Sequence, residues 1–321
     1  MWKTILRRFL ILIPQLFILS VLLFLFAQAM PGDALRGRIG PDTHPDLLAE
    51  LRAHHGLDQP WHVQYWRWLT ALAQGDFGTS HTFQRPVTEV VGDSLANTMR
   101  LAIVATILTY LIAIPLGLLA AKFKGKIVDK AVMMYTFVAL SMPTLILGLF
   151  FILVFALRLE WFPSGQAVDI IADGQGGWTR FVSQMHHVML PAITMALLGT
   201  VSIIYFLRGE IIDNDSSDFV TTARSKGVPN NRVYTRHILR NALLPVAGNF
   251  GAIIASLFTG SLFIEVVFTY RGMGQLFVNS LQGRDYPVIF ALTMFFAVVL
   301  SISFLVTDII ITILDPRIRI K

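Results

Sequence analysis

The sequence predicts an all-α integral membrane protein with six transmembrane helices. Hydrophobic residues make up 55% of the 321 residues and charged residues 14%, whereas a soluble domain carries about 25% charge. The mean hydropathy is +0.63. Six apolar stretches of about 20 residues or more are each long enough to cross about 30 Å of hydrocarbon as a helix. They are residues 9–29, 101–121, 131–157, 188–207, 242–264 and 288–314.

The first apolar stretch is predicted to remain in the mature protein. It follows a basic opening and ends near Ala27-Gln28-Ala29, which resembles a signal-peptidase site. Its run of about 20 apolar residues, however, exceeds the roughly 7–15 of a signal-peptide core. We therefore expect residues 1–29 to form a cytoplasmic N-terminus and transmembrane helix 1.

Residues 30–96 are predicted to form an extracytoplasmic segment. A short helical stretch is expected at 45–54, and a second helix within 57–78 carries aromatic and leucine residues near one side. These are Trp61, Tyr65, Trp66, Trp68, Leu69 and Leu72. Such rings suit the headgroup level of a membrane, but a small cap packing on its own core explains the pattern equally well. Both alternatives place the segment outside.

Residues 97–321 are predicted to form a permease-like core with helices 2–6. Pro143 lies inside the third apolar stretch and should kink that helix, because proline donates no backbone hydrogen bond. Sixteen of the 26 lysine and arginine residues lie in 1–8, 122–130, 208–241 and 314–321. The positive-inside rule therefore places both termini in the cytoplasm. The pI near 9.7 reflects this topology, and we do not expect nucleic-acid binding.

The most informative segment is 209–241, a cytoplasmic loop between helices 4 and 5. Residues 213–218 offer several N-cap side chains,. A short helix should begin near Phe219 and end at Gly227, because glycine accepts the left-handed conformation of a C-cap. A two-turn helix with little apolar surface is unstable alone in water. It must dock on its own transmembrane bundle or on a cytoplasmic partner.

Helical periodicity gives this short helix a predicted face. Phe219, Ala223 and Gly227 recur every four residues and predict a narrow, mostly small-residue surface,. Farther along, Asn230 or Asn231 can cap a second helix that carries an arginine stripe suited to the anionic inner leaflet. The stripe is Arg232, Arg236 and Arg240.

The same segment resembles the cytoplasmic loop of ABC-importer permeases. The general form of that loop is Glu-Ala-Ala, three residues, Gly, and a spacer ending in Leu-Pro. Thr221, Thr222 and Ala223 stand at the first three positions and Gly227 at the glycine. The two threonines and the 17-residue spacer to Pro245 depart from the general form and are similar to the dipeptide/oligopeptide/nickel branch. Other matching stretches include PGD at 31–33, GLDQPWHVQYWRWL at 56–69, FIEVVFTYRGMGQL at 263–276 and DPRIR at 315–319.

The resemblance implies the fold of a type I importer permease. It implies that the chain is the first of the two permease types in such systems, and that it is a transport subunit and not an enzyme. It implies that the short helix docks on an ATPase subunit and acts as a coupling helix. The residues implied are Phe219, Thr221, Thr222, Ala223, Arg224, Lys226 and Gly227. A Cβ at Gly227 would then disturb both the left-handed cap and a close contact.

The resemblance also implies partners, substrate and location. The partners are a second homologous permease, membrane lipid, an extracytoplasmic solute-binding protein and two ATPase subunits, which hold ATP and magnesium. The implied substrate is a di- or oligopeptide, with nickel or glutathione import as alternatives within the family. The location implied is the plasma membrane of a bacterium or archaeon, with this chain itself binding no cofactor.

No catalytic or metal site is predicted. Gly125-Lys126 lacks the remainder of a P-loop, and the adjacent histidine pairs at 54–55 and 186–187 do not converge on one metal. Candidate substrate-pathway residues are Ser141, Thr144 and Asn249.

Ionisable residues in or near the spans leave one functional alternative open. An ion-coupled secondary transporter would require Asp308, which lies within the sixth apolar stretch,. Arg158 and Glu265 are expected at outer helix ends. The other interpretation of Asp308 is a residue near a helix end that reaches the interface or pairs with a basic neighbour.

Overall fold

The computed structural model describes residues 2–29, 59–248 and 261–314. The helices are α1 Trp2–Ala29, α2 Trp61–Ala73, α3 Val87–Lys122, α4 Ile127–Ser141, α5 Thr144–Phe151, α6 Ile170–Gln175, α7 Gly177–Asp215, α8 Asp218–Ser225, α9 Asn230–Arg232, α10 Leu239–Gly248, α11 Met273–Gly283 and α12 Tyr286–Leu314. Ile152–Arg158 and Val233–Ile238 form π-helical turns, and 261–267 are also helical. The described residues contain one isolated β-bridge and no strand, so the all-α class is confirmed for them.

Three described helices are long and apolar enough to cross a membrane: α3, α7 and the 286–307 portion of α12. The pair formed by α4 and the following 144–158 makes a fourth if it is counted as one span. The apolar stretch Leu10–Phe26 of α1 is shorter than each of these three helices. Most of the predicted fifth helix lies outside the described residues, so the number six remains a prediction.

The predicted proline kink in the third apolar stretch is a full break. α4 and the following 144–158 are bent by 103°. Met142 has φ −87° and ψ 122°, an extended conformation that a residue before proline favours. Because Pro143 has no N–H to donate, the helix ends here and a new one begins.

The described residues 2–29, 59–96 and 276–301 form one compact unit. In it, α2 packs on α1 through aromatic side chains. The ring of Phe24 contacts those of Tyr65 and Trp68 at 5.3 and 6.2 Å, and the Tyr65 hydroxyl lies 2.9 Å from Ser20 Oγ. Trp66 is 63% exposed on the other side of α2. The helix therefore packs on its own unit and still offers an exposed aromatic ring.

A buried carboxylate closes the loop between α2 and α3 in this unit. Asp285 is fully buried and accepts hydrogen bonds from Ser80 Oγ at 2.5 Å and from the backbone N–H groups of His81 and Thr82 at 3.1 and 3.0 Å. The Ser80 hydroxyl oxygen also accepts from the Phe83 N–H at 3.0 Å. These bonds fix residues 80–83 to the start of α12.

The second unit comprises the described residues 97–248, 261–275 and 302–314. Its core has two clusters. One joins α3, α4, α7, α8 and residues 233–246. The other joins α3, α5, α7 and residues 264–270. The first cluster carries the predicted coupling helix.

Candidate functional site

The short helix of the 209–241 segment is α8, Asp218–Ser225. The expected helix began near Phe219 and ended at Gly227, so the boundaries agree within one or two residues. Ser217 occupies the N-cap position with φ −74° and ψ 152°, but its side chain makes no capping bond. Its carbonyl oxygen accepts from the N–H groups of Val220 and Thr221 at 3.0 and 3.1 Å.

Gly227 ends this helix with φ +74°, so the predicted left-handed conformation is confirmed. Its N–H donates to the Arg224 carbonyl at 2.9 Å, and the Val228 N–H donates to the Ala223 carbonyl at 3.2 Å. A Cβ added at Gly227 would meet no described atom within 4 Å. Any close contact at this position therefore requires atoms other than the described ones of this chain.

The inner face of α8 packs on the chain's own bundle. Val220 is fully buried and Ala223 is 7% exposed, and both belong to the cluster that contains Val233 and Ile238. Burying a valine side chain stabilises by about 1.5–3 kcal/mol, which helps to hold this two-turn helix in place. Val220 was not among the predicted site residues, although the apolar pair at 220 and 223 shares a helical face.

An ion pair ties α8 to the end of α7. Arg224 Nη2 lies 2.6 Å from Asp215 Oδ1, with both side chains partly exposed. Exposed pairs contribute little stability, so this contact mainly orients the helix. Tyr234 lies beside the pair. Burial, and then the Asp215 carboxylate, raise the pKa of the Tyr234 hydroxyl above its ordinary value.

The outer face of α8 is open. Phe219 is 39% exposed, and the other predicted coupling residues, apart from Ala223, are also exposed. They are Thr221, Thr222, Arg224, Lys226 and Gly227. Phe219 and Ala223 differ in burial, because Ala223 is 7% exposed against the core whereas Phe219 is 39% exposed; the predicted small-residue face is therefore only partly open to a partner. α8 is thus packed on the core through one side and exposed to solvent on the other.

The segment after α8 differs from expectation at its start. Pro229, with φ −56° and ψ 138°, occupies the N-cap position of α9, and Asn230 is already helical. A proline fits at a helix start because its missing N–H has no intrahelical partner there. The three arginines of the predicted stripe are all exposed.

The predicted pathway residues Ser141 and Thr144 flank the break between α4 and α5. The Ser141 hydroxyl donates to the Phe137 carbonyl at 2.8 Å, and Thr144 is half-buried. Asn249 lies outside the described residues, as does the side chain of Asp308. Two of the three candidates therefore lie at the ends of the two helices that meet at the break.

A bidentate ion pair links α4 to α7 near the basic turn. Asp129 Oδ1 and Oδ2 accept from Arg208 Nε and Nη2 at 2.7 and 2.8 Å. Oδ2 also accepts from the Gly125 N–H at 2.8 Å, where Gly125 has φ +78°. Gly125 and Lys126 thus form a helix-starting turn closed by a carboxylate.

Glu265 forms a second network that the sequence did not reveal. It is fully buried and accepts from Thr98 Oγ1 at 2.7 Å and from the Gly274 and Gln275 N–H groups at 2.6 and 3.2 Å. Thr98 Oγ1 accepts in turn from the Met273 N–H at 2.8 Å. Glu265, placed by the sequence at an outer helix end, is therefore held by hydroxyl and backbone donors, whereas Arg158 is exposed.

The histidine pair at 186–187 bonds within the chain. His186 Nε2 lies 2.9 Å from the Trp161 carbonyl oxygen and His187 Nδ1 lies 2.8 Å from that of Ser183. Among the described residues, no group of three or more His, Cys, Asp or Glu side chains is placed to hold a metal ion.

These features define an integral membrane protein of the helical class, with a short exposed helix on a loop between spans. Residues 113–320 match the family described as binding-protein-dependent transport system inner membrane component, and residues 1–111 match the N-terminal family of the same transport systems. The chain therefore belongs to this family of permeases, which confirms the resemblance seen in the sequence.

Curated relatives extend the match over the full length. The chain is 38% identical to the oligopeptide transport system permease protein AppB of Bacillus subtilis over 98% of both chains. It is 36% identical to the glutathione transport system permease protein GsiC of Salmonella paratyphi A, and 34% identical to that of Escherichia coli K12, over the full length of each. The chain is thus a membrane-embedded permease subunit of an ABC importer.

Proposed function

We propose that this chain forms half of the translocation pathway for di- or oligopeptides in an ATP-driven importer. The substrate class rests on the relatives named as oligopeptide and glutathione permeases, because both of those solutes are peptides. Glutathione or nickel import is the alternative within the family. The second permease, two ATPase subunits and an extracytoplasmic solute-binding protein complete the proposed complex.

The proposed topology has six spans, with both termini in the cytoplasm of a bacterium or archaeon. Residues 1–29 supply the N-terminus and first span, 30–96 the extracytoplasmic segment, and 97–321 the core with the loop 209–241. The uneven distribution of lysine and arginine supports this orientation,.

The observation that carries the proposal is the two-sided construction of α8. Val220 and Ala223 fix one side to the permease core, and Phe219 and Thr222 remain exposed on the other. A helix held in this way transmits a push from an ATPase subunit to the bundle. ATP shifts the permease between states only through differential binding to them.

Replacing Gly227 tests the coupling role, and Gly125 supplies a matched control. Both glycines have positive φ, near +75°, and an added Cβ meets no described atom within 4 Å at either position. Because both backbones are left-handed, a side chain as small as alanine should cost about 1 kcal/mol of conformational strain at either position. We expect Gly227→Trp to abolish ATP-driven peptide uptake by the reconstituted complex, while Gly125→Trp retains it.

Uptake and assembly are measured on the same preparations. Equal uptake by the two variants would contradict the placement of the ATPase contact at Gly227. Peptide uptake by this chain alone, in liposomes without ATP and dependent on Asp308, would instead favour an ion-coupled transporter. Binding of ATPase subunits without any solute uptake would indicate a docking scaffold.

A further inference from the structure

Two basic segments of the chain are neighbours in space. The ammonium group of Lys122 donates to Asn231 Oδ1, which joins the turn between α3 and α4 to α9. The basic surface so formed comprises Lys122, Lys124, Lys126, Lys130, Arg232, Arg236 and Arg240. Its arginines and three of its lysines are exposed.

Each basic segment continues into an exposed apolar face of the same helix. Along α4, Lys130 is followed four residues later by Met134 and then by Phe137, each 64% exposed. At the start of α10, Arg240 is followed four residues later by Leu244, which is 41% exposed. Residues four apart share a helical face, so charge gives way to apolar surface along both helices.

The turn itself combines apolar and cationic groups. Ile127 is 84% exposed beside Lys126. The Phe123 ring lies under the ammonium groups of Lys122 and Lys126, at 5.2 and 5.8 Å from its centroid. Long basic side chains over exposed apolar groups are typical of the membrane interface, where the stem lies in apolar surroundings and the charge reaches the headgroups.

The turn's sequence contains one acidic residue, and its carboxylate is bonded elsewhere. Asp129 lies within the turn's sequence, but its carboxylate is engaged by the Arg208 guanidinium and the Gly125 N–H. Its side chain is 6% exposed. Its hydrogen bonds go to Arg208 and Gly125, and the exposed lysines of the turn face solvent.

We propose that this basic surface binds the phosphate groups of anionic phospholipids in the leaflet that faces the ATPase side. This inference rests on the proposed cytoplasmic placement of 122–130 and 208–241. It does not depend on which substrate is transported or on the coupling role of α8. Charge complementarity selects an anionic headgroup, and the adjoining apolar faces of α4 and α10 suit acyl chains. Each basic residue near an anionic surface contributes about fivefold to partitioning.

Lipid retention by the assembled importer tests this proposal. The complex is placed in nanodiscs of phosphatidylcholine mixed with phosphatidylglycerol, extracted mildly, and its bound lipids are counted by native mass spectrometry. The variant R232Q/R236Q/R240Q should lower the retained ratio of phosphatidylglycerol to phosphatidylcholine by up to about 100-fold. The control R67Q/R158Q/R180Q removes the same charge from exposed arginines elsewhere and should retain the wild-type ratio.

A charge-conserving variant controls for misfolding. R232K/R236K/R240K should keep the phosphatidylglycerol, and raising the salt concentration should weaken retention in the wild type. Equal phosphatidylglycerol retention by the glutamine variant and its control would overturn the proposal. Loss of the ATPase subunits from the glutamine variant with unchanged lipid would also overturn it, because the surface would then belong to the protein interface. Retention requires neither ATP nor solute, so its failure is distinct from a failure of peptide uptake.

Discussion

Thr98 bridges two parts of the Glu265 network, and Thr98→Val removes that bridge without changing the side chain's shape. The hydroxyl donates to Glu265 at 2.7 Å and accepts from the Met273 N–H at 2.8 Å, and both Thr98 and Glu265 are fully buried. The lost bond to Glu265 contributes about 1–3 kcal/mol, and the unpaired Met273 N–H costs about 1–3 kcal/mol. We therefore expect the free energy of unfolding to fall by about 2–6 kcal/mol.

Thr98→Ser is the matched control. It keeps the hydroxyl and both hydrogen bonds and loses one methyl group, which costs about 1 kcal/mol. Unfolding of both purified variants is followed in mild detergent by tryptophan fluorescence during a denaturing-detergent titration. Equal stability of the valine and serine variants would refute the reasoning, because it would mean that the hydroxyl bonds contribute nothing measurable.

Three further predictions concern close packing and buried charge. Gly274→Ala should destabilise the protein by about 1–3 kcal/mol, because the added Cβ would lie 2.5 Å from a backbone carbon. Gly209→Ala in α7 has open space for its Cβ and should stabilise the protein by about 0.5–1 kcal/mol. Thermal unfolding measures both changes in stability. Asp129→Asn should cost about 2–4 kcal/mol, below the fully buried limit because the Arg208 side chain is 25% exposed, as measured by the same titration. Asp285→Asn should cost about 1–3 kcal/mol and speed protease cleavage within 78–86.

Each of these three predictions has its own contradicting result. Arg85→Gln breaks an exposed pair with Glu89 and Asp93 and should leave unfolding nearly unchanged. An Asp129→Asn variant as stable as Arg85→Gln would argue against the bidentate pair. Equal stabilities for the two alanine variants would argue against tight packing at Gly274, and unchanged cleavage in Asp285→Asn would argue against the loop anchor.

Features set by local chemistry were predictable from the sequence. Gly227 is left-handed and ends a short helix, since glycine accepts positive φ without a side-chain penalty,. Pro143 interrupts the third apolar stretch, since it lacks a donor. The size of the 103° bend was not predictable, because it depends on how the next helix packs.

Features that depend on distant partners were not predictable. Thr98 and Glu265 meet across 167 positions of sequence, and no local pattern marks that pairing. Ala223 was assigned to the partner-facing surface because it lies four residues from Phe219. Its burial depends on which side of α8 faces the core, and that side is the one that carries Val220. Asn230 was a plausible cap, yet Pro229 takes the position.

The continuous length of α7 gives the chain a lever. Its 39 residues span about 58 Å at ~1.5 Å per residue, nearly twice the thickness of the hydrocarbon that it crosses. Ser216 and Ser217 alone separate its end from α8. A tilt of about 5° in a rod of this length displaces one end by about 5 Å relative to the other. A rotation of α7 beside the Arg208–Asp129 pair would therefore be magnified at the far end of the helix, to the extent that Pro191 within it leaves the helix straight.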